Sequence, residues 1–517
     1  MSTPVRRLTG DFATVPEILR AAAEACPDHE AFVDGAVRLT FAAWHRSASG
    51  LANAFAALGV AKGDVVCLLL PPSADYAICY QAAMRLGAVT TGINLRLGPS
   101  EVRGILERTR PIITVVDDQR QAPEGAGRVV RRSELAALCG SDPLAEAPGH
   151  SLSSSDPVAI VWTSGTTGQP KGAVFDHDNL RAMSEGAGVL SHPGDRRLSP
   201  SPFSHVGYMT RAWDEIVNVM TTVIPPSPWS AGDALDLIGR ERVTVVQGVP
   251  TQWSLMLAHP AFDAVDRSTL RLAATGAAAV PPELVRQVRT RLGVPFVVRY
   301  TSTEASLTTG TGVDDPEDVV AWTVGVPAPH VEVDLVDDKR QPVTAGEVGT
   351  VRVRSGAVMR GYWRDPERTA EVLGADGWLL TGDLGRFDDR GNLVLVGRRE
   401  EMYIRGGYNV YPGEVEAVLS EHPAVERVAV IALDDPVLGH VGMAVVVARA
   451  GATPDLDELR TWCWERLADY KAPDRLLLAA DLPLTSMLKV DKPALARMVD
   501  GGTFAGLGEP DNKGMRR

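Results

Sequence analysis

Thr163-Ser164-Gly165-Thr166-Thr167-Gly168-Gln169-Pro170-Lys171-Gly172 follows an apolar run, Val158-Ala159-Ile160-Val161-Trp162, that reads as a buried strand. After it come Ala173-Val174-Phe175 and the polar Asp176-His177-Asp178-Asn179, suited to cap a helix that continues through Leu180-Arg181-Ala182-Met183. The ten residues contain three glycines, three threonines, one serine and one lysine. Glycine lets backbone N–H groups approach an anion, hydroxyls add donors, and lysine adds a point charge. The composition is that of a phosphate cradle. It is not a Walker loop, because proline precedes the lysine and no hydroxyl follows it. On the residues alone, a flexible Gly/Ser/Thr connection that happens to hold Lys171 stays open.

At 517 residues the chain exceeds one ordinary core, since domains run roughly 100–200 residues. Hydrophobic content of 45% and charged content of 23% belong to a globular protein. The net charge of −13 excludes nucleic acid as an expected partner, because no basic field gathers phosphates. Five cysteines are scattered without Cys-x-x-Cys spacing, so neither a disulfide framework nor a zinc site is expected. The run Val65-Val66-Cys67-Leu68-Leu69-Leu70 stops at Pro71-Pro72, too short for a membrane span. With no apolar leader at residues 1–8, a cytoplasmic location is expected.

Helical patterns at 41–58 and 74–86 alternate with strand-like runs at 112–116, 243–246, 270–274 and 296–298. Such alternation implies helix-flanked parallel sheets. Beyond residue 325 the texture becomes alternating, as in Val331-Glu332-Val333-Asp334-Leu335, which suggests an antiparallel or barrel-like section. After about residue 400, helical patterns at 413–421 and 456–468 and strands at 428–433 and 443–447 read as a separate α+β unit.

The loop at 163–172 resembles the phosphate loop of the adenylate-forming superfamily, which includes acyl-CoA synthetases, carrier-protein ligases and luciferases. Further segments resemble that family in its own order. Gly87-Ala88-Val89 with Ile93-Asn94 looks like an early structural signature. Pro202-Phe203-Ser204-His205-Val206-Gly207 resembles the segment bordering the acyl pocket, which implies a gating role for His205. Gly276-Ala277-Ala278 and Arg299-Tyr300-Thr301-Ser302-Thr303-Glu304 match the segments where small residues border adenine, the tyrosine stacks on it, and Thr303 and Glu304 handle phosphate and Mg2+. Thr301 replaces the family's usual glycine. In Thr381-Gly382-Asp383, the aspartate is implied to accept both ribose hydroxyls after a tight turn, with Arg398 beside it. Glu400 stands at the hinge position. Gly406-Gly407 resembles the glycine loop that lines the pantetheine tunnel. Lys489 falls on the lysine that bridges carboxylate and phosphate, with Leu488 in place of the glycine before it.

The resemblance implies an α/β fold. Residues 1–397 form a large N-terminal domain of two helix-flanked sheets plus a small β-barrel section, 398–400 a hinge, and 401–517 a small mobile α+β C-terminal domain. It implies ATP/AMP binding at Thr163, Ser164, Gly165, Thr166, Thr167, Gly168, Lys171, Gly276, Ala277, Ala278, Tyr300, Thr301, Asp383 and Arg398, with Mg2+ at Glu304. The implied function joins a carboxylic acid, through its acyl-adenylate, to coenzyme A by domain alternation. Coenzyme A is the expected acceptor because no carrier domain follows, and a freestanding carrier protein is the alternative. Leu488, Glu400 and Thr301 depart from the family pattern, which raises a thioesterification-only variant fed with ready-made acyl-AMP. A nucleotide-binding protein without turnover is the reading from another class. Val206, Met209, Trp213, Val249 and Ser306 are candidates for the acyl pocket, and the oligomeric state is not legible.

Overall fold

Local signals place the elements before packing does. Ser73 Oγ accepts the Tyr76 amide and starts the helix Ala74–Arg85. Asp176 caps the helix His177–Gly186 by accepting the Asn179 amide at 2.9 Å, as its position after the loop predicts. The computed structural model of the chain describes residues 5–140, 151–163, 170–199, 201–485 and 489–500. Ser164, Gly165, Thr166, Thr167, Gly168 and Leu488 lie outside the described residues.

Two large sheets make up most of the N-terminal region. The nine-stranded sheet is parallel through its middle, where Phe296–Ser302, Leu272–Gly276, Val245–Gly248, Arg196–Leu198, Thr221–Ile224 and Glu30–Asp34 follow one another. Antiparallel strands close its edges, Val37–Thr40 on one side and Ser306–Gly310 with Val326–Pro327 on the other. In the seven-stranded sheet, Val89–Gly92, Val65–Leu69, Ile113–Val116 and Arg128–Arg131 run parallel.

The strand Pro157–Thr163 also joins this sheet in parallel, but the chain then doubles back. Lys171–Asp176 pairs antiparallel with it, Thr163 opposite Lys171. The glycine-rich stretch thus joins two hairpin strands, which the parallel pattern read from the sequence does not include. Helices Phe41–Ala57 and Ala74–Arg85 contribute to the main core, with Phe32, Trp44, Tyr76, Phe203 and Tyr208 in its aromatic part.

The barrel-like section comprises four antiparallel strands, Glu332–Val336, Gly349–Arg354, Leu379–Phe387 and Leu393–Arg398. The C-terminal region has its own five-stranded sheet, built on the long pair Val425–Asp435 and Gly439–Ala448, and its own apolar clusters. Helices Pro412–Leu419 and Leu456–Trp464 cover it, close to the periodicity read from the sequence. Among the described residues no helix is long and apolar enough to cross a membrane.

Candidate active site

Register brings the first two groups together. Leu379–Phe387 pairs with Leu393–Arg398 so that Asp383 stands directly opposite Arg398. Their side chains meet, Arg398 Nε lying 3.3 Å from Asp383 Oδ1. Asp383, expected after a tight turn, lies inside the strand. A bulge there, with Gly382 at φ 78°, lets Thr381 Oγ1 donate to Val351 O while accepting the Asp383 amide.

From the neighbouring large sheet, Tyr300 donates its hydroxyl to Asp383 Oδ2 at 2.5 Å. Burial raises the Asp383 carboxyl above its ordinary pKa, and the positive charge of Arg398 opposes that rise. The Tyr300 hydroxyl is pushed well up, first by burial and then by Asp383.

Lys489 enters from the C-terminal region. Its ammonium pKa is lowered by burial and by the charge of Arg398, and Asp383 opposes the change. Its backbone carbonyl accepts the Thr485 amide at 2.7 Å, beside the bridge between Leu484 and Val490. The same ammonium acts on His205, whose pKa falls to about 4, mainly through burial. His205 caps a short helix, its Nδ1 accepting the Gly207 amide, beside the stacked rings of Phe203 and Tyr208 at 3.6 Å.

Glu304 forms the other end of the site. Tyr362 donates its hydroxyl to Glu304 Oε1 at 2.9 Å, and Lys171 Nζ lies 5.0 Å from the centre of the same ring. No sequence pattern singled out Tyr362. It arrives because Gly361–Tyr362 adds antiparallel to the strand after the phosphate loop, Tyr362 opposite Ala173. Asn179 and Asp176 pin the incoming segment, through Gly356 O and Val358 O and through the Arg360 guanidinium.

Gly276 ends its strand opposite Arg299, where a Cβ would come within 2.2 Å of Arg299 O. Ala277 has φ 64°, Ala278 is exposed, and Thr301 and Thr303 are half-buried beside Tyr300. Gly406 and Gly407 are placed differently. They turn the two-residue hairpin between Tyr403–Arg405 and Tyr408–Val410 with φ of 56° and 92°, the left-handed pair such a turn needs. The Gly406 amide is bound to Leu438 O within its own domain. Glu400 is exposed at the turn after Arg398.

Residues 19–363 match the family model described as AMP-binding enzyme, and residues 414–489 that described as AMP-binding enzyme C-terminal domain. The chain belongs to the AMP-binding enzymes. This is the adenylate-forming superfamily that its motifs resemble. A feruloyl-CoA synthase from an Amycolatopsis species is 36% identical, covering 91% of this chain and 96% of its own. A CoA ligase from Rhodococcus jostii, named for a methyl-dioxo-octahydro-indenyl propanoyl group, is 34% identical and covers 94% and 99%. Anthranilate CoA ligase AuaEII, solved with anthranoyl-AMP, superposes with a TM-score of 0.87 at 26% identity, covering 96% and 99%. As an AMP-binding enzyme with such relatives, the chain is an ATP-dependent acid–thiol ligase.

Within this family frame, the geometry divides the sequence-assigned residues in two. Tyr300, Asp383, Arg398, Lys489 and His205 converge, with Glu304 and Lys171 linked through Tyr362. Gly406 and Gly407 are held within their own hairpin, and the Glu400 carboxylate acts on the group through its charge on Arg398.

Proposed function

We propose that this AMP-binding enzyme activates a ring-bearing carboxylic acid with ATP and transfers the acyl group to coenzyme A. The observation that carries the reading is the convergence of Lys489 with Asp383, Arg398 and His205 from distant parts of the chain.

In the first step a carboxylate oxygen attacks the α-phosphorus of ATP. A new P–O bond forms, and the bond to pyrophosphate breaks. The Lys489 ammonium stands where charge develops between carboxylate and phosphate, and such preorganised donors stabilise the transition state. Asp383 accepts the ribose hydroxyls, and Arg398 and Tyr300 hold its orientation. Among the described residues no group of three or more side chains could hold a metal by itself. Glu304 would supply one hard oxygen to Mg2+, with phosphate and water completing the shell, as that ion prefers. The bound ion would neutralise phosphate charge.

In the second step a thiol attacks the acyl carbonyl and AMP leaves. A thiol with a pKa of roughly 8.5 needs no strong base against so good a leaving group. For that step the small domain turns about Glu400 and brings the Gly406-Gly407 hairpin over the site, as the resemblance implies. The ring-bearing acyl group is supported by the small residues at 276–279 and by two relatives, the feruloyl-CoA synthase and the anthranilate CoA ligase.

Acid-dependent release of pyrophosphate from ATP, compared with thioester formation from synthetic acyl-AMP, tests the reading. Both reactions are expected. Thioester formation without any ATP turnover would support the thioesterification-only variant instead, and no product in either assay would leave only nucleotide binding.

A further inference from the structure

A cavity of about 340 Å³ opens beside the phosphate loop, between the end of the helix Pro99–Thr109, the strand beginning at Lys171, and residues 363–365. Four cations line it: Arg108, Arg110, Lys171 and Arg364. Glu107 and Asp365 are the acidic members of the lining. Asp365 is already engaged, capping the helix Pro366–Val372 and lying 3.4 Å from Arg368. Among the described residues no carboxylate lies within ion-pair distance of Lys171, Arg110 or Arg364, whereas Arg38, Arg196, Arg271 and Arg405 are each paired with one. Lys171 and Arg364 instead lie over aromatic rings, those of Tyr362 at 5.0 Å and Trp363 at 5.1 Å.

The walls are fixed. Trp162 donates its indole N–H to Thr91 Oγ1 at 2.7 Å, and Trp363 donates its own to Arg108 O at 3.3 Å. The Trp363 amide is bound to Gly172 O, and Arg108 donates to Pro170 O, so the cavity is tied to both ends of the segment that leaves the phosphate loop. Arg110 and Arg364 both have left-handed backbones, with φ of 47° and 53°, a conformation uncommon for residues other than glycine and asparagine. Lys171, Arg110 and Arg364, without a carboxylate in ion-pair distance among the described residues and set beside planar walls on a chain whose net charge is −13, make a local reversal of field. Planar guanidinium groups match phosphate oxygens in particular.

We propose that this cavity is an outer site for a diphosphate group, reached from the phosphate loop across Lys171. The proposal rests on the reading of that loop as the nucleotide's phosphate site. The diphosphate is either the inorganic pyrophosphate that leaves in the first step or the diphosphate of a second nucleotide. The two sources share the chemistry and differ in whether an aromatic base adds to binding.

Calorimetric titration of the full chain with inorganic pyrophosphate and, separately, with ADP tests it, at low ionic strength where exposed cations act most strongly. The probe variant is Arg110→Glu with Arg364→Glu, and Arg103→Glu, exposed on the same helix, is the control for the general field. The double variant should weaken binding about tenfold or more, the scale of a lost charge-assisted contact. The control should remain within about twofold, because its charge change lies outside the cavity. Weakened pyrophosphate binding assigns the leaving group, and weakening with ADP alone assigns a nucleotide. Unchanged binding of both probes, absent binding to the parent chain, or an equal loss in the control overturns the site. If the double variant unfolds, Arg110→Gln with Arg364→Gln replaces it under the same criteria. No acid or thiol is present in the titration, so its outcome is independent of whether the enzyme turns over ATP.

Discussion

Asp383 is pulled two ways. Burial raises its carboxyl, while the Arg398 guanidinium and the Tyr300 hydroxyl favour its ionised form. Because the folded value lies above the unfolded one, ionising Asp383 costs stability as pH rises from about 3.8 through the raised value. Asp383→Asn should therefore weaken AMP binding about tenfold, through loss of a charge-assisted acceptor, without lowering the thermal midpoint. Unchanged AMP affinity would remove the ribose assignment. Lys489→Ala should reduce acid-dependent pyrophosphate release on the order of a hundredfold or more. Thioester formation from acyl-AMP should stay within a few-fold, as measured in parallel; equal losses in both would contradict a role confined to the first step. His205 titrates in the opposite sense to Asp383. Its pKa falls to about 4, so between that value and 6.5 the unfolded chain binds more protons, and stability rises with pH. His45 and His177, also lowered to about 4 mainly by burial, act in the same direction. Urea midpoints should climb across this window, and His205→Gln should flatten the climb.

Among the elements, the pair Leu272–Gly276 and Phe296–Ser302 is sensitive to a single methyl group. Gly276→Ala would drive a Cβ to within 2.2 Å of Arg299 O, a backbone atom that cannot swing aside. The strands must part, at a cost of about 1–3 kcal/mol typical of overpacking, and Tyr300 moves with them. A lower melting temperature and weaker AMP binding are expected together; an unchanged melting temperature would show that the strands yield freely. The legibility of these elements follows from range. Asp383, Arg398, Tyr300 and Glu304 were readable because each lies in a short segment whose residue order is itself informative. The Asp176 cap and the long apolar strands were readable from local chemistry. Tyr362 was not, because its role exists only through pairing with residues 173–174, almost two hundred positions earlier. The hairpin that doubles back at Lys171 was missed for a related reason, since an apolar strand carries no mark of its direction. For Gly406-Gly407 the turn chemistry is satisfied within the hairpin, and the pair's relation to the rest of the site is a matter of domain position.

For the whole molecule, what matters is how the small domain rests on the large one. Arg286 of the helix Pro282–Leu292 donates to Glu421 at 3.0 Å, across the two regions. A single partly accessible pair contributes little, typically about 0.2–1 kcal/mol. Glu421→Arg, which sets two like charges together, should lower pyrophosphate release about two- to fivefold, the factor that such an energy allows. Thioester formation from acyl-AMP should be unaffected, and a loss confined to that second reaction would contradict the docking described.

The joint itself has a simple consequence. The Arg399 amide still binds Gly382 O at 2.9 Å, whereas those of Glu401 and Met402 turn back to Arg398 O at 3.1 Å. A backbone break after Glu400 would thus leave Tyr300, Asp383 and Arg398 on one fragment and Lys489 on the other. The peptide link acts as a tether that keeps the lysine at an effective concentration on the order of millimolar, the range for short connections. Severed from it, Lys489 would cease to be a resident group and become a reagent, supplied by whatever concentration of its own domain the solution contains.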